Sequence, residues 1–118
     1  MIRLEDSKEI LINYNSDCFY FLDYANSALQ EIPKDDVLQD LSKEVGNCAI
    51  HLGVELELCM AAIERILYKY PKNTFGQTFG VMKEWRSSSK VKTTILILMK
   101  AFQSADTRGV HFLRKEYR

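Results

Sequence analysis

"TFGQTFGVMKEWRSSS", residues 74–89, is the stretch on which the reading of the whole chain turns. Phe75, Phe79, Met82 and Trp85 recur at three- and four-residue intervals, the spacing that aligns side chains along one face of an α-helix. Gly76 and Gly80, four apart, fall on another side. Thr74 and Gln77 form a T-x-x-Q capping box at the expected helix start, and Ser87–Ser89 break the pattern at its end. Trp85 is the chain's only tryptophan and stands among Lys83, Arg86, Lys90 and Lys92. It can stack on a nucleic-acid base, sit in a membrane interface, or close a hydrophobic core. Its phase decides for the core: a helix that buries Phe75, Phe79 and Met82 buries Trp85 with them and turns Lys83 and Arg86 partly to solvent.

Helical spacing continues on both sides of this stretch, with no sustained period-two alternation. Upstream, Cys59, Ala62, Ile63, Ile66 and Tyr70 mark a helix that Pro71 ends, because the residue before a proline avoids helical angles. Before it, "CAIHLGVEL" places Ala49, Leu52 and Leu56 on one side, although Gly53 costs roughly 1 kcal/mol of helix propensity. The first helix opens at Pro33 in a first-turn position, with Asp35 and Asp36 at the positive end of the helix dipole. Its stripe is Val37, Leu38, Leu41 and Val45, and Gly46 and Asn47 end it. Downstream, "TTILILMKAFQ" reads as a helix surrounded by neighbours, its pattern extending through Met99 and Phe102. Asp106 and Thr107 cap a last helix whose Val110, Leu113 and Tyr117 face inward. The expected fold is all-α, a six-helix antiparallel bundle joined by short connections. Its core is expected at Leu38, Leu41, Leu52, Leu56, Ile63, Ile66, Phe79, Met82, Trp85, Leu98, Phe102 and Leu113. Residues 1–32 read as an N-terminal extension: "EILINY" fits strand or helix, and Phe19, Leu22, Ala25 and Leu29 fit one helical face.

Composition sets bounds on function. At 118 residues, 47% hydrophobic and 27% charged, the chain has the size and usage of one globular domain. No run approaches the roughly 18 apolar residues of a membrane span, and "MIRLEDSKEILINY" lacks the marks of a signal peptide. The expectation is a soluble, cytoplasmic chain. Cys18, Cys48 and Cys59 lack CxxC spacing and read as free, mostly buried thiols. The net charge of zero conceals a division: residues 1–57 hold twelve acids and four bases, residues 58–118 the reverse, giving −8 and +8. Such asymmetry either solvates two faces differently or gives the domain opposite poles that meet head to tail.

Sites for chemistry are sparse. Cys48 and His51 share a helical face with Cys59 not far in sequence, but a fourth metal ligand is missing and His111 is distant. A Cys/His nucleophile pair has no announced neighbour, and phosphate-binding glycine loops and H-E-x-x-H are absent. No enzyme activity, cofactor or metal is expected. The alternative to a protein-binding role is a small helical nucleic-acid-binding domain that uses the basic C-terminal half. Its bases, however, are spread over four helices rather than aligned on one, and the acidic half repels phosphate.

The order and spacing of "VLQDLSKEVG", "LGVELEL", "AAIERILYKYPKNTFGQTFGVMKEWRSSS" and "TTILILMKAFQSADTRGVHFL" resemble a death domain over residues 33–117. The likeness includes I-x-x-I, the proline closing helix three, an early glutamine and a late tryptophan in helix four, and the A-D-x-R-G passage within Ala101–Gly109. Two positions depart from the family habit. Ala49 stands for a frequent tryptophan in helix two, and Glu57 for the glycine of the L-G-L junction. The resemblance implies a non-catalytic module that associates with other death domains, or with itself head to tail, in apoptotic or innate-immune signalling. No small-molecule substrate and no membrane partner is expected, and nucleic acid remains the alternative partner, disfavoured by the expected burial of Trp85 and the spread of the bases. The resemblance also implies asymmetric contacts, in which helices one and four of one copy meet helices two and three or loop surfaces of another. The candidate acidic surface is then Asp35, Asp36, Asp40 and Glu44, facing a basic one of Arg65, Lys69, Lys72, Lys83, Arg86 and Lys90.

Overall fold

The computed structural model describes residues 27–117, and these are helical without a strand. Cys18, Phe19, Leu22, Ala25 and "EILINY" lie outside the described residues. A 3-10 turn, Ser27–Gln30, precedes six helices: α1 (Asp35–Glu44), α2 (Ala49–Glu55), α3 (Met60–Lys69), α4 (Thr74–Ser88), α5 (Ile95–Ala105) and α6 (Thr107–Glu116). Short connections do not make every sequence neighbour a packing partner. The main partners of α1 are α4 and α6, and α2 packs on α4 and α5, while the α3–α4 and α5–α6 pairs are consecutive. The result is an interleaved bundle.

Helix ends follow local chemistry, in places differently from the expectation. Pro33 is buried ahead of α1, where Lys34 is the N-cap residue, so the proline does not occupy the first turn. At α4 the cap is Asn73, whose side chain accepts from the Gly76 N–H at 2.9 Å, rather than Thr74. Gln77 does not close a box but donates Nε2 to the Tyr70 carbonyl at 2.9 Å, tying α4 to the end of α3. Asn is as good a cap as Ser or Thr, and it stands one residue earlier here. Thr94 and Asp106 cap α5 and α6 through their side chains, as their positions suggested for Asp106. The α4 helix also runs on to Ser88, past the expected break.

The α2 end carries the unusual backbone. The Leu58 N–H donates to the Gly53 carbonyl at 3.0 Å and the Glu57 N–H to that of Val54 at 3.0 Å, the paired bonds of a Schellman motif. That motif needs a left-handed residue, and Glu57 supplies it with φ 64°. Gly53, costly for the helix in isolation, has a tertiary reason: a Cβ there would lie 2.8 Å from Ile63 Cδ1, so α2 and α3 approach closely at this point.

Eleven of the twelve expected core residues are buried, among them Trp85 at 2% exposure, Met82, Leu98, Phe102 and Leu113. Phe79 is the exception, partly buried and packed against the core edge. Phe75 is exposed at 37% and stacks on Phe79 with ring centroids 5.9 Å apart. The buried face of α4 is instead centred on Thr78, Val81, Met82 and Trp85, about 55° round the helix from the expected stripe. Cys59 is exposed and Cys48 buried, so the described thiols are not both in the core. Leu29, assigned to the extension, is 1% exposed within the core, and the Glu31 carbonyl accepts from the Ile95 N–H at 2.9 Å. The packed unit thus begins before residue 33.

Candidate protein interface

Asp36, Asp40 and Glu44 are exposed and lie four residues apart, forming a row along the outside of α1. Lys43 Nζ is 4.0 Å from Asp40, a loose pair at the surface. Asp35 does not belong to this row. Its carboxylate accepts from Arg86 Nη2, while Arg86 Nη1 donates to the Pro33 carbonyl at 3.0 Å. The hydrogen bond and charge of Arg86, with Lys83 nearby, hold the Asp35 carboxyl below its ordinary range. Asp35 and Arg86, placed by the sequence on opposing surfaces of different copies, therefore meet within one chain. Arg86 pins the start of α1 to α4 and is only 23% exposed.

The other basic residues separate into groups. Arg65 on α3 lies 3.8 Å from Glu84 on α4. Lys69 Nζ sits 5.5 Å from the Tyr70 ring centroid, and Lys83 Nζ 5.1 Å from that of Phe79. Lys72 is exposed in the α3–α4 turn, where the Asn73 N–H returns to the Tyr70 carbonyl and φ of Lys72 is 58°. Proline second and a positive φ third is the pattern of a type II turn. Lys90 belongs to the loop after α4 and, with Arg65, borders a cleft of about 450 Å3 over Trp85 and Ala62. Arg65, Lys69 and Lys72 thus mark the α3 side, Lys83 the Phe79 side of α4, and Lys90 the far lip of the cleft. Trp85 has too little exposure to offer a ring face to a base or a lipid.

Several features were not readable from spacing. Asp106 Oδ2 accepts from the Gly46 N–H at 3.0 Å and from Arg108 Nη2 at 2.8 Å, while Oδ1 accepts from the Arg108 N–H and Nε, both at 3.0 Å. These bonds, that to the Arg108 side chain foremost, outweigh burial and lower the Asp106 carboxyl to about 2. They join the α1–α2 turn to the start of α6. The Thr78 hydroxyl is buried without a hydrogen-bond partner among the described residues. Burial raises the Cys48 thiol to about 11, which keeps it protonated and unreactive at neutral pH. His51 lies beside Glu55 at 3.4 Å, and among the described residues no three His, Cys, Asp or Glu side chains gather to hold a metal ion. None of the described helices is long and apolar enough to cross a membrane.

In comparisons with known proteins, the chain matches no family model, no curated protein and no solved structure.

Proposed function

We propose that this chain is a non-catalytic interaction module of the death-domain type, binding other death domains and assembling signalling complexes in apoptosis or innate immunity. The observation that carries the reading is the α2–α3 junction. The one position where the resemblance expects the junction glycine is Glu57, and Glu57 has the left-handed backbone that glycine favours. A sequence register taken from the resemblance thus coincides with a backbone feature that spacing alone does not specify. The number and order of the helices agree with the same register.

Binding is assigned to the exposed acidic row of α1, Asp36, Asp40 and Glu44, and to the exposed bases Arg65, Lys69, Lys72, Lys83 and Lys90. Each surface ion pair contributes under about 1 kcal/mol and weakens with salt, so affinity arises from several contacts per molecule. The test is capture of the full chain from solution by a panel of immobilised death domains. Saturable, salt-sensitive capture that falls with Asp40→Lys or Lys69→Glu is expected. Capture of none, by a chain whose helical circular dichroism is intact, removes the proposal.

A further inference from the structure

The cleft of about 450 Å3 beside Trp85 lies between two walls. One is the α2–α3 junction, from Leu56 to Cys59; the other is the end of α4 and its loop, from Ser88 to Val91. Leu56, Ala62 and Trp85 are buried and give the cleft an apolar bed, and its volume falls within the range of small-molecule sites. On the loop wall Val91 is an apolar side chain left 65% exposed. A ligand seated between the walls would take that surface out of water, which is favourable in proportion to the area covered.

Most polar groups around the bed already have partners. Arg65 lies 3.8 Å from Glu84. The Ser88 hydroxyl donates to the Glu84 carbonyl at 2.7 Å, and the Ser89 hydroxyl oxygen accepts from the Val91 N–H at 3.3 Å. Two charges lining the cleft have no ion pair among the described residues: Glu57 on the junction wall and Lys90 on the loop wall. Lys92, exposed beyond Val91, adds positive charge on the loop side.

We infer that this cleft is a binding site for a small organic anion, an apolar body carrying one carboxylate or sulfonate, held as a ligand and not as a substrate. The Glu57 carboxylate and the loop bases set its orientation, with the anionic end toward Lys90 and the apolar body over Leu56, Ala62 and Trp85. A mostly apolar lining with one well-placed charge is the pairing by which such pockets hold and orient a ligand. The site requires no second protein and no membership of any family.

Cys59 supplies the means of testing it, because its thiol is exposed on the junction wall whereas Cys48 is buried. The full chain is titrated with α-naphthoate by calorimetry. In parallel, alkylation of Cys59 by iodoacetamide is followed by peptide mass spectrometry, with N-acetylcysteine in the same solution as the control thiol. Saturable binding with a Kd below about 1 mM is expected. At about ten times Kd, Cys59 alkylation should slow about tenfold while the control thiol is unaffected, because only the empty fraction of the cleft reacts. The neutral isostere α-naphthamide should bind more weakly by up to about fivefold, the weight of one surface ion pair. Lys90→Glu should weaken naphthoate binding by at least about threefold on the same scale, with Lys90→Gln as the second variant should the reversal not fold. Absence of saturable binding up to about 1 mM overturns the inference. So does binding that leaves Cys59 alkylation unchanged, which puts the ligand elsewhere, or a Cys59 that resists iodoacetamide in the free chain, which means a closed cleft. Equal affinity for the amide, or for a folded Lys90 variant, overturns the assignment of an anion held at Lys90.

Discussion

Replacing Glu57 with glycine is expected to stabilise the domain. Glu57 holds φ 64° because the Schellman bonds from Leu58 to Gly53 and from Glu57 to Val54 require it. A side chain with a Cβ pays roughly 1–2 kcal/mol for left-handed helical angles. Glycine removes that cost but adds roughly 0.5–1 kcal/mol through the greater freedom of the unfolded chain. The net gain is about 0.5–1 kcal/mol, or about 2–8 °C in melting temperature for a domain of this size. The Glu57 side chain has no hydrogen bond or ion pair among the described residues, so little is lost with it. Thermal and urea unfolding followed by circular dichroism measure the difference, with Glu57→Ala as the control that retains Cβ. If Ala stabilises as much as Gly, the gain comes from removing charge and the backbone argument is wrong. If Gly destabilises, the junction does not adopt the left-handed turn.

Trp85→Ala should cost roughly 3–5 kcal/mol by emptying a buried aromatic site, enough to unfold a domain of ordinary stability; a variant with unchanged melting temperature would show that the ring is not in the core. Thr78→Val should stabilise by about 1 kcal/mol, since it removes a buried hydroxyl without a partner and keeps the shape, whereas Thr78→Ala leaves a gap; unfolding in urea separates them. The ionised Asp106 carboxylate is held at about 2 in the folded chain and returns to its ordinary value on unfolding, so it stabilises the fold at neutral pH. That contribution, of order 1–2 kcal/mol after solvent screening around Arg108, fades as pH falls from about 4 toward 2, and Asp106→Asn should flatten this part of the stability profile.

What could be read in advance was whatever depends on near neighbours along the chain. Val37 to Val45, Ala62 to Ile66 and the run from Ile95 to Phe102 have apolar intervals that only a helix aligns, and Leu38, Ile63 and Phe102 are fully buried. Phe75 misled because periodicity identifies an apolar stripe but not where the neighbouring helices cover it; the packed face of α4 centres on Thr78 and Val81. The cap of α4 falls on Asn73 and not on the expected Thr74 because the two are adjacent and either side chain can accept from first-turn N–H groups. The candidate site was less legible. Exposure of Asp36, Asp40 and Lys69 followed from helical phase, but the pairing of Arg86 with Asp35 joins residues 51 apart. The link from Asp106 to Gly46 spans 60 residues, and neither separation leaves a local signal.

The bond from Ile95 to the Glu31 carbonyl, with Leu29 seated in the core beside it, also sets a mechanical order. Tension applied to the polypeptide at Ser27 reaches the beginning of α5 before it can draw on α1. The 3-10 turn and α5 are in contact, so the first step under load is to extract Leu29 and break that bond. Force spectroscopy from this end would therefore meet a small early yield point, separate from the rupture of the six helices.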